Sequence, residues 1–511
     1  MMLEVDHLSA RLAGRPLLSD VSFALDEGET VAMLGASGSG KSLTGRALIA
    51  LPPRGIGYAG AVRFRGADLL TMPERELSAL RGESLAAIFQ EPATALNPVM
   101  RIGAQIAEPL AIHTDAGRVE RRARVETLLA DTGLAAQGVT PDRYPHELSG
   151  GQRQRVAVAI ALALQPALVV ADEPTSALDA VSAAQVLDLL FRLSAKAGSA
   201  LVLITHDIAV ARRAERIIVM DGGRIAEDAP SRALLAAPRS APARALVSGA
   251  EIGLPPRVGG EGAGVVLEAE AMRVERGGRT VVRSASFAVR AGERLAIVGG
   301  SGSGKTSLAR ALVGLLPAAG TVRLDGAPVA RNAPALRRAV QMVFQDPVTS
   351  FNPRHSIARI VTEPLYATAL SGREKRARAE AVLASVGLPN VLDRRPHAFS
   401  GGQRQRIAIA RALISEPRVL IADEAVSALD AALRAEVIHL LDDLSRERGI
   451  ALVFIAHDLG LVRSLADRVL VMDRGEIVES GPAAELFAAP KHPAVRALVA
   501  ASATGSGTGG Q

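Results

Sequence analysis

Five short segments of this chain occur twice, in the same order, and that duplication limits the fold more than any other feature. GASGSGKS at 35–42 returns as GGSGSGKT at 299–306, and FQEPATALNP at 89–98 as FQDPVTSFNP at 344–353. LSGGQRQR at 148–155 returns as FSGGQRQR at 399–406, ADEPTSALD at 171–179 as ADEAVSALD at 422–430, and THD at 205–207 as AHD at 456–458. From the SGGQRQR run onward the copies stand 251 residues apart, as Ser149 and Ser400 do; upstream, Lys41 and Lys305 stand 264 apart. The first copy therefore carries 13 additional residues between its lysine and its SGGQRQR run. A period this long exceeds any solenoid repeat, so the sequence describes a duplicated domain.

The boundary is expected at 249–264, GAEIGLPPRVGGEGAG, whose Gly and Pro content reads as a linker. A flexible stretch of that length reaches about 20–25 Å, enough to join adjacent domains. The expected organisation is a first domain over 1–248, the linker, a second domain over 265–500, and a Gly/Ser/Thr-rich disordered tail over 501–511. A hydrophobic fraction of 48% and a charged fraction of 22% fit ordinary globular cores. The net charge of +6 is a weak excess over so long a chain and gives little support to nucleic-acid binding. With no cysteine, disulfides, thiolate zinc sites and cysteine-ligated iron–sulfur clusters are excluded. Glu4 and Asp6 interrupt the N-terminus before a signal-peptide core can form. The longest apolar stretch, 156–171, contains Gln165 and Pro166 and reads as a buried helix, a turn and a buried strand, so a membrane role must come through partners.

Apolar runs such as 30–34, 167–170 and 200–204 end at the repeated motifs and alternate with helical patterns, which argues for an α/β fold with a mostly parallel sheet in each half. The stretches around 91–148 and 346–399 are rich in Ala, Leu, Arg and Glu and predict a helical insertion in each domain.

The motifs carry phosphate chemistry. In the first copy Gly35, Ala36, Ser37, Gly38, Ser39 and Gly40 form a loop whose backbone N–H groups can wrap phosphates at a helix N-terminus; Gly299, Gly300, Ser301, Gly302, Ser303 and Gly304 repeat it. Lys41 and Lys305 would reach the β- and γ-phosphates, and Ser42 and Thr306 would ligate Mg²⁺. Each later apolar strand ends in an acid pair, Asp172-Glu173 and Asp423-Glu424. The aspartates can hold the Mg²⁺ shell, and the glutamates are placed to polarise the attacking water. Alone, either pair is better read as a helix cap after a strand; with a phosphate loop in the same half, the catalytic reading wins.

The SGGQRQR run resembles the signature of the ATP-binding cassette (ABC) family, and the resemblance covers nearly the whole chain in two copies. It implies two phosphate-loop NTPase domains that bind ATP and Mg²⁺. It also implies that Ser149, Gly150, Gly151 and Gln152 cap nucleotide held by the other half, as do Ser400, Gly401, Gly402 and Gln403. Gln90 and Gln345 resemble the loop glutamines that contact Mg²⁺ and the water, His206 and His457 the switch histidines, and Asp179 and Asp430 the aspartates that connect the two sites. Two departures stand out. Leu12 and Arg276 occupy the positions where the family usually stacks an aromatic on adenine, and Pro174-Thr175 becomes Ala425-Val426 in the second copy.

LNPVMRIGAQIAEPL, FNPRHSIARIVTEPL and the tail LFAAPKHPAVRALVAA resemble the peptide and nickel importer branch of that family. The resemblance implies a peripheral protein on the cytoplasmic face of the inner membrane, working with two transmembrane permeases and an extracytoplasmic substrate-binding protein. The alternatives are a soluble tandem cassette acting on ribosomes or nucleic acid, or the motor of another transporter type. The short Gly/Pro linker and the missing cysteines weigh against the former.

Overall fold

A computed structural model describes residues 1–90, 95–176, 178–250, 254, 264–344, 350–423, 431–456 and 459–505; nothing is said of the side chains at 249–250, 431–432 and 501–505. The chain forms two compact units, Met1–Ala250 and Glu251–Ala503.

The centre of the first unit is a six-stranded sheet. Its order is Arg224–Pro230, Arg216–Asp221, Thr30–Leu34, Ala200–Thr205, Leu168–Asp172 and Leu85–Ile88. The last five strands are parallel, and Arg224–Pro230 closes one edge antiparallel. These strands are apolar almost without interruption because both faces are covered. Alternate residues serve different cores. Leu168, Val170, Val202 and Ile204 pack with a four-stranded antiparallel sheet, whereas Val169, Ala171, Leu201 and Leu203 pack with helices. The second unit repeats the strand order from Glu476–Pro482 to Val340–Val343, and a bridge from Ser284 to Glu476 links its two sheets.

A third core belongs to the helical insertion, where helices Ile102–His113 and Arg118–Asp131 pack through Ile102, Ile106, Val125 and Leu128. Helix Gly150–Ala161 connects two cores: Val156 and Ala159 face the insertion, and Val158 and Ala161 face the sheet. In the second unit the first insertion helix is shorter, Ile357–Thr362, and becomes a 3₁₀ turn at Glu363–Leu365. Pro364 cannot donate to the ladder there, although its counterpart Pro109 is accommodated inside a longer helix. Most of the extra length of the first copy lies before Leu85, where helix Glu74–Glu83 stands against the shorter Pro334–Ala339.

Two expectations need correction. Backbone expected to be linker continues helix Ala241–Ala250 through its last two residues, and Leu254 is buried in the helical core of the second unit. The remaining linker positions lie outside the described residues. The tail expected to be disordered from 501 is helical as far as Gly505, in Pro493–Gly505. The alanine-rich sequence before the glycines explains this, since alanine has the highest helix propensity. Residues 506–511 lie outside the described part.

Candidate functional site

In the first unit, strand Thr30–Leu34 runs into the glycine loop and then into helix Lys41–Leu48. The loop's path requires glycine. A Cβ on Gly35 would lie 2.3 Å from the carbonyl oxygen of Met220, and Gly40 has φ of +100° at the helix start. No side chain caps this helix, so its first N–H groups and its positive dipole end are directed at whatever the loop binds. Lys41 is buried, and its Nζ donates to the carbonyl oxygens of Gly35 and Ala36 at 2.7 and 2.8 Å, across the span of the loop. Among the loop serines, Ser39 is buried close to that ammonium.

Strand Leu168–Asp172 ends in the first acid of the pair, and Glu173 follows it. Ser42 Oγ donates to Asp172 Oδ1 at 3.0 Å, joining the phosphate-loop helix to the strand end. Burial pushes the Asp172 carboxyl above its ordinary range against the pull of Ser42, with Glu173 adding to the rise. Glu173 has a left-handed φ of +45°, and its N–H donates to the carbonyl of Ile204 at 2.9 Å. A non-glycine residue held there stores about 1–3 kcal/mol of strain. Its carboxylate is held from two sides: Gln90 Nε2 donates to Oε2 at 3.0 Å, and His206 Nδ1 lies 3.0 Å from Oε1. Burial pushes this carboxyl up, but the hydrogen bond and charge of His206, with Lys41 behind them, outweigh it and hold the carboxyl below its usual range. Glu173 is thus kept ionised and oriented, as a base toward water requires.

The resemblance gave Gln90 to Mg²⁺ and water. Here its amide nitrogen is on Glu173, and among the described residues its hydrogen bonds include neither Ser42 nor Asp172. The sequence reading missed the supports of His206. Thr205 Oγ1 accepts from the Asp207 N–H at 2.9 Å, and Asp207 Oδ1 accepts from the Ala209 N–H at 2.7 Å, capping helix Ile208–Ala211. An aspartate before an apolar stretch is an N-cap signal that could have revealed this. Asp179 is likewise an N-cap, accepting from the N–H and the hydroxyl of Ser182 at the start of helix Ala180–Ala197.

The second unit repeats the first half of this geometry. Lys305 Nζ donates to Gly299 and Gly300 carbonyls at 2.8 and 2.9 Å, and Thr306 Oγ1 donates to Asp423 Oδ1 at 3.1 Å. Gln345, Glu424, Asp430 and His457 lie outside the described residues. Both signature runs fold alike. Ser149 caps helix Gly150–Ala161, its Oγ accepting from Gln152 N–H at 3.2 Å while Gln152 Oε1 accepts from the Ser149 N–H at 3.0 Å. Ser400 and Gln403 repeat this capping box on helix Gly401–Leu413. Gly401 opens onto free space, whereas Gly402 is buried against Leu433. Leu12, where an adenine-stacking aromatic was sought, ends strand Leu3–Leu12 and is 44% exposed.

The family description "ABC transporter" matches residues 18–176 and 282–427, one segment in each unit. The chain belongs to the ABC transporter family. This cassette protein is similar along nearly its whole length to single-chain tandem relatives. The peptidoglycan transport ATP-binding protein YejF of Agrobacterium fabrum is 42% identical over 502 residues, 94% of this chain and 92% of that protein. An uncharacterised ABC transporter ATP-binding protein of Escherichia coli K12 is 39% identical, covering 96% of each. The glutathione import ATP-binding protein GsiA of Escherichia coli O157:H7 is 40% identical, covering 94% of this chain and 86% of that protein. The α/β fold, the ATPase activity and the use of ATP with Mg²⁺ read from the sequence are borne out, as is the tandem importer-type resemblance.

The geometry fits that chemistry. Ser42 Oγ and Asp172 Oδ1 are adjacent oxygen donors beside the uncapped helix, as Mg²⁺ with phosphate and water requires. When bound, the cation neutralises charge that develops on the phosphates. Lys41 and the loop N–H groups are placed where β- and γ-phosphates would be oriented, and His206 and Gln90 hold the Glu173 carboxylate in the position a base toward water would need.

Proposed function

We propose that this chain is the complete ATP-hydrolysing motor of an importer for short peptides or peptide-like cargo. The observation that carries the reading is similarity across both halves to one relative named for peptidoglycan transport and another named for glutathione import. Both of those cargoes contain short peptide chains. In this reading the protein sits on the cytoplasmic face of the inner membrane, bound to two permease subunits that receive cargo from an extracytoplasmic binding protein. Among the described residues, no helix is long and apolar enough to cross a membrane. The helical insertions are the docking elements. Val99, Ile112 and Val119 in the first are 82%, 69% and 85% exposed, and Tyr366 in the second is 77% exposed, which supports a partner at each insertion. Co-purification of permeases and binding protein, followed by transport of glutathione, murein tripeptide and a nickel chelate in vesicles, tests the cargo. Uptake of the nickel chelate alone removes the peptide reading.

In the same proposal the ATP sites are shared. Lys41, Ser42, Gln90, Asp172, Glu173 and His206 are capped by Ser400, Gly401 and Gly402. Lys305, Thr306, Gln345, Asp423, Glu424 and His457 are capped by Ser149, Gly150 and Gly151. Lys41→Ala combined with Ser400→Arg then damages one site and leaves one nucleotide trapped per chain in a Glu→Gln background. Lys41→Ala with Ser149→Arg damages both and traps almost none. Equal trapping by the two combinations rejects the sharing.

A further inference from the structure

An open cleft of about 410 Å³ lies in the first unit, between the end of helix Arg118–Asp131, the signature helix and helix Ala180–Ala197. It is separate from the phosphate loop, and its cations are Arg155 and Arg192. Arg155 Nη1 donates to the Thr132 carbonyl and Nη2 to Gln185 Oε1, each at 2.8 Å, and Arg192 Nη2 donates to the Asp131 carbonyl at 3.1 Å. All three acceptors are neutral. The carboxylates on the lining are turned to other cations, Asp131 to Lys196 at 3.3 Å and Asp188 to Arg213 at 2.5 Å. Among the described residues, neither cleft guanidinium meets a carboxylate. Burial and then the charge of Arg192 hold Arg155 below its ordinary range, as expected for two cations that share a depression without a counter-ion.

The second unit shows what is missing. Arg406 occupies the same place on its signature helix and rests on Gly387 (φ +75°) as Arg155 rests on Gly133 (φ +71°). Its Nη2 meets a carboxylate of its own chain, Glu436, at the position of Gln185. Where the first unit has Arg192, the second has Asp443. One copy therefore supplies internally an oxyanion that the other copy lacks, against the same arginine.

We propose that the cleft of the first unit binds a small oxyanion, a carboxylate or a phosphate, between Arg155 and Arg192. Guanidinium groups suit both anions through paired, charge-assisted hydrogen bonds. The site has regulatory reach. Arg155 is on the helix capped by Ser149, and Arg192 is on the helix capped by Asp179, so a bound anion ties together two elements that start at motifs repeated in the two halves of the sequence.

The test uses the intact chain with its phosphate loops filled by Mg-ADP, titrated calorimetrically with succinate and separately with inorganic phosphate at constant ionic strength. One saturable equivalent per chain is expected, and the tighter probe identifies the kind of anion. Gln185→Glu places the internal carboxylate of the second unit in the cleft and weakens binding by about tenfold or more. Gln185→Ala, which removes the same amide without adding charge, retains it. Glu436→Gln with Asp443→Arg creates a second equivalent. Absence of saturable binding of both probes to the native chain overturns the proposal. So does binding to the Gln185→Glu chain that equals the native, which also covers an anion effect spread over the surface.

Discussion

The two halves fasten the loop that enters the helical insertion with different side chains. In the first half Gln105 is buried and makes three bonds to that loop. Its Oε1 accepts from the Asn97 N–H at 2.9 Å, and its Nε2 donates to the carbonyls of Asn97 and Met100 at 3.0 and 2.8 Å. The aligned residue in the second half is Ile360, buried in an apolar core. There the loop is held from the signature helix instead: Arg411 donates to the carbonyl and hydroxyl of Ser350 at 3.2 and 3.3 Å and lies over the Phe351 ring. The first half has Ile160 at the position of Arg411. Buried backbone polar groups must find partners. The two copies fasten neighbouring parts of the loop from opposite sides, Asn97 and Met100 in one and Ser350, the counterpart of Ala95, in the other, exchanging which position is polar and which apolar. The phosphate loops show no such exchange: their lysines make the same two carbonyl bonds in both halves.

The largest test of this comparison asks whether the halves are chemically equal despite their different supports. Glu173→Gln with Glu424→Gln is expected to keep nucleotide binding while steady-state ATPase falls by about 10²–10⁴-fold. Each single change is expected to lose more than half the activity. Near-normal hydrolysis in the double variant sinks the assignment of both glutamates, and a harmless Glu424→Gln would make the second site a binding site only.

His206 gives the next effect. His206→Ala removes the hydrogen bond and charge that hold Glu173 down, leaving burial, which raises its carboxyl, opposed by Lys41. The sign follows. A depressed carboxyl stays ionised, and contributes its stability, above its ordinary value of 4.5, losing both as pH falls through the lower folded value. The variant should lose turnover by about 10²-fold, a typical loss for a preorganised group. The acid limb of its pH profile should also move to higher pH. An unmoved limb in the variant means His206 does not set the Glu173 charge.

Much of this arrangement was legible in the sequence, and the reasons differ by residue. Lys41, Ser42 and the glycines were readable because their roles depend on close spacing along one loop. Asp172 and Glu173 were readable only together with the phosphate loop of the same half, whose Ser42 the structure joins to Asp172. The left-handed turn at Glu173 was not readable, since a carbonyl from a distant strand, that of Ile204, holds its N–H. The Gln105 and Arg411 clamps were hidden for another reason: their partners are backbone groups, and for Arg411 the partner is 61 residues away. The helix through Gly505 was masked by composition, its alanines outweighed by the glycines that follow.

The clamp exchange can be tested directly. Gln105→Ile is expected to destabilise the first unit by about 2–3 kcal/mol, because it removes three hydrogen bonds at once from a half-buried loop, one to an N–H and two to carbonyls. That lowers the melting temperature of a domain this size by about 4–12 °C. Arg411→Ile should do the same to the second unit. Adding Ile160→Arg to Gln105→Ile should recover part of the loss, because it installs the second unit's solution in the first. Differential scanning calorimetry reads all three. No recovery would mean the clamps are local accidents rather than equivalent answers to one demand.

The smallest expected effect concerns nucleotide affinity, where the halves differ at the strand ends Leu12 and Arg276. Leucine offers a base only apolar contact, whereas an arginine plane can stack on it. Both lie next to a tight turn with left-handed residues, Ala13 and Gly14 in one half and Gly277 and Gly278 in the other, and both are exposed. Replacing Leu12 with tyrosine adds one stacking contact, worth about 0.5–1.5 kcal/mol. The first site, isolated by Lys305→Ala, should then bind ATP about 2–12 times more tightly. Arg276→Ala, read in a Lys41→Ala background, should weaken the second site by about 2–5-fold. Stacking is tolerant of base identity, so GTP should follow ATP in both experiments. If fluorescence titration shows neither affinity moving, the base does not rest on these strand ends, and the difference between the halves at this position has no bearing on which nucleotide is bound.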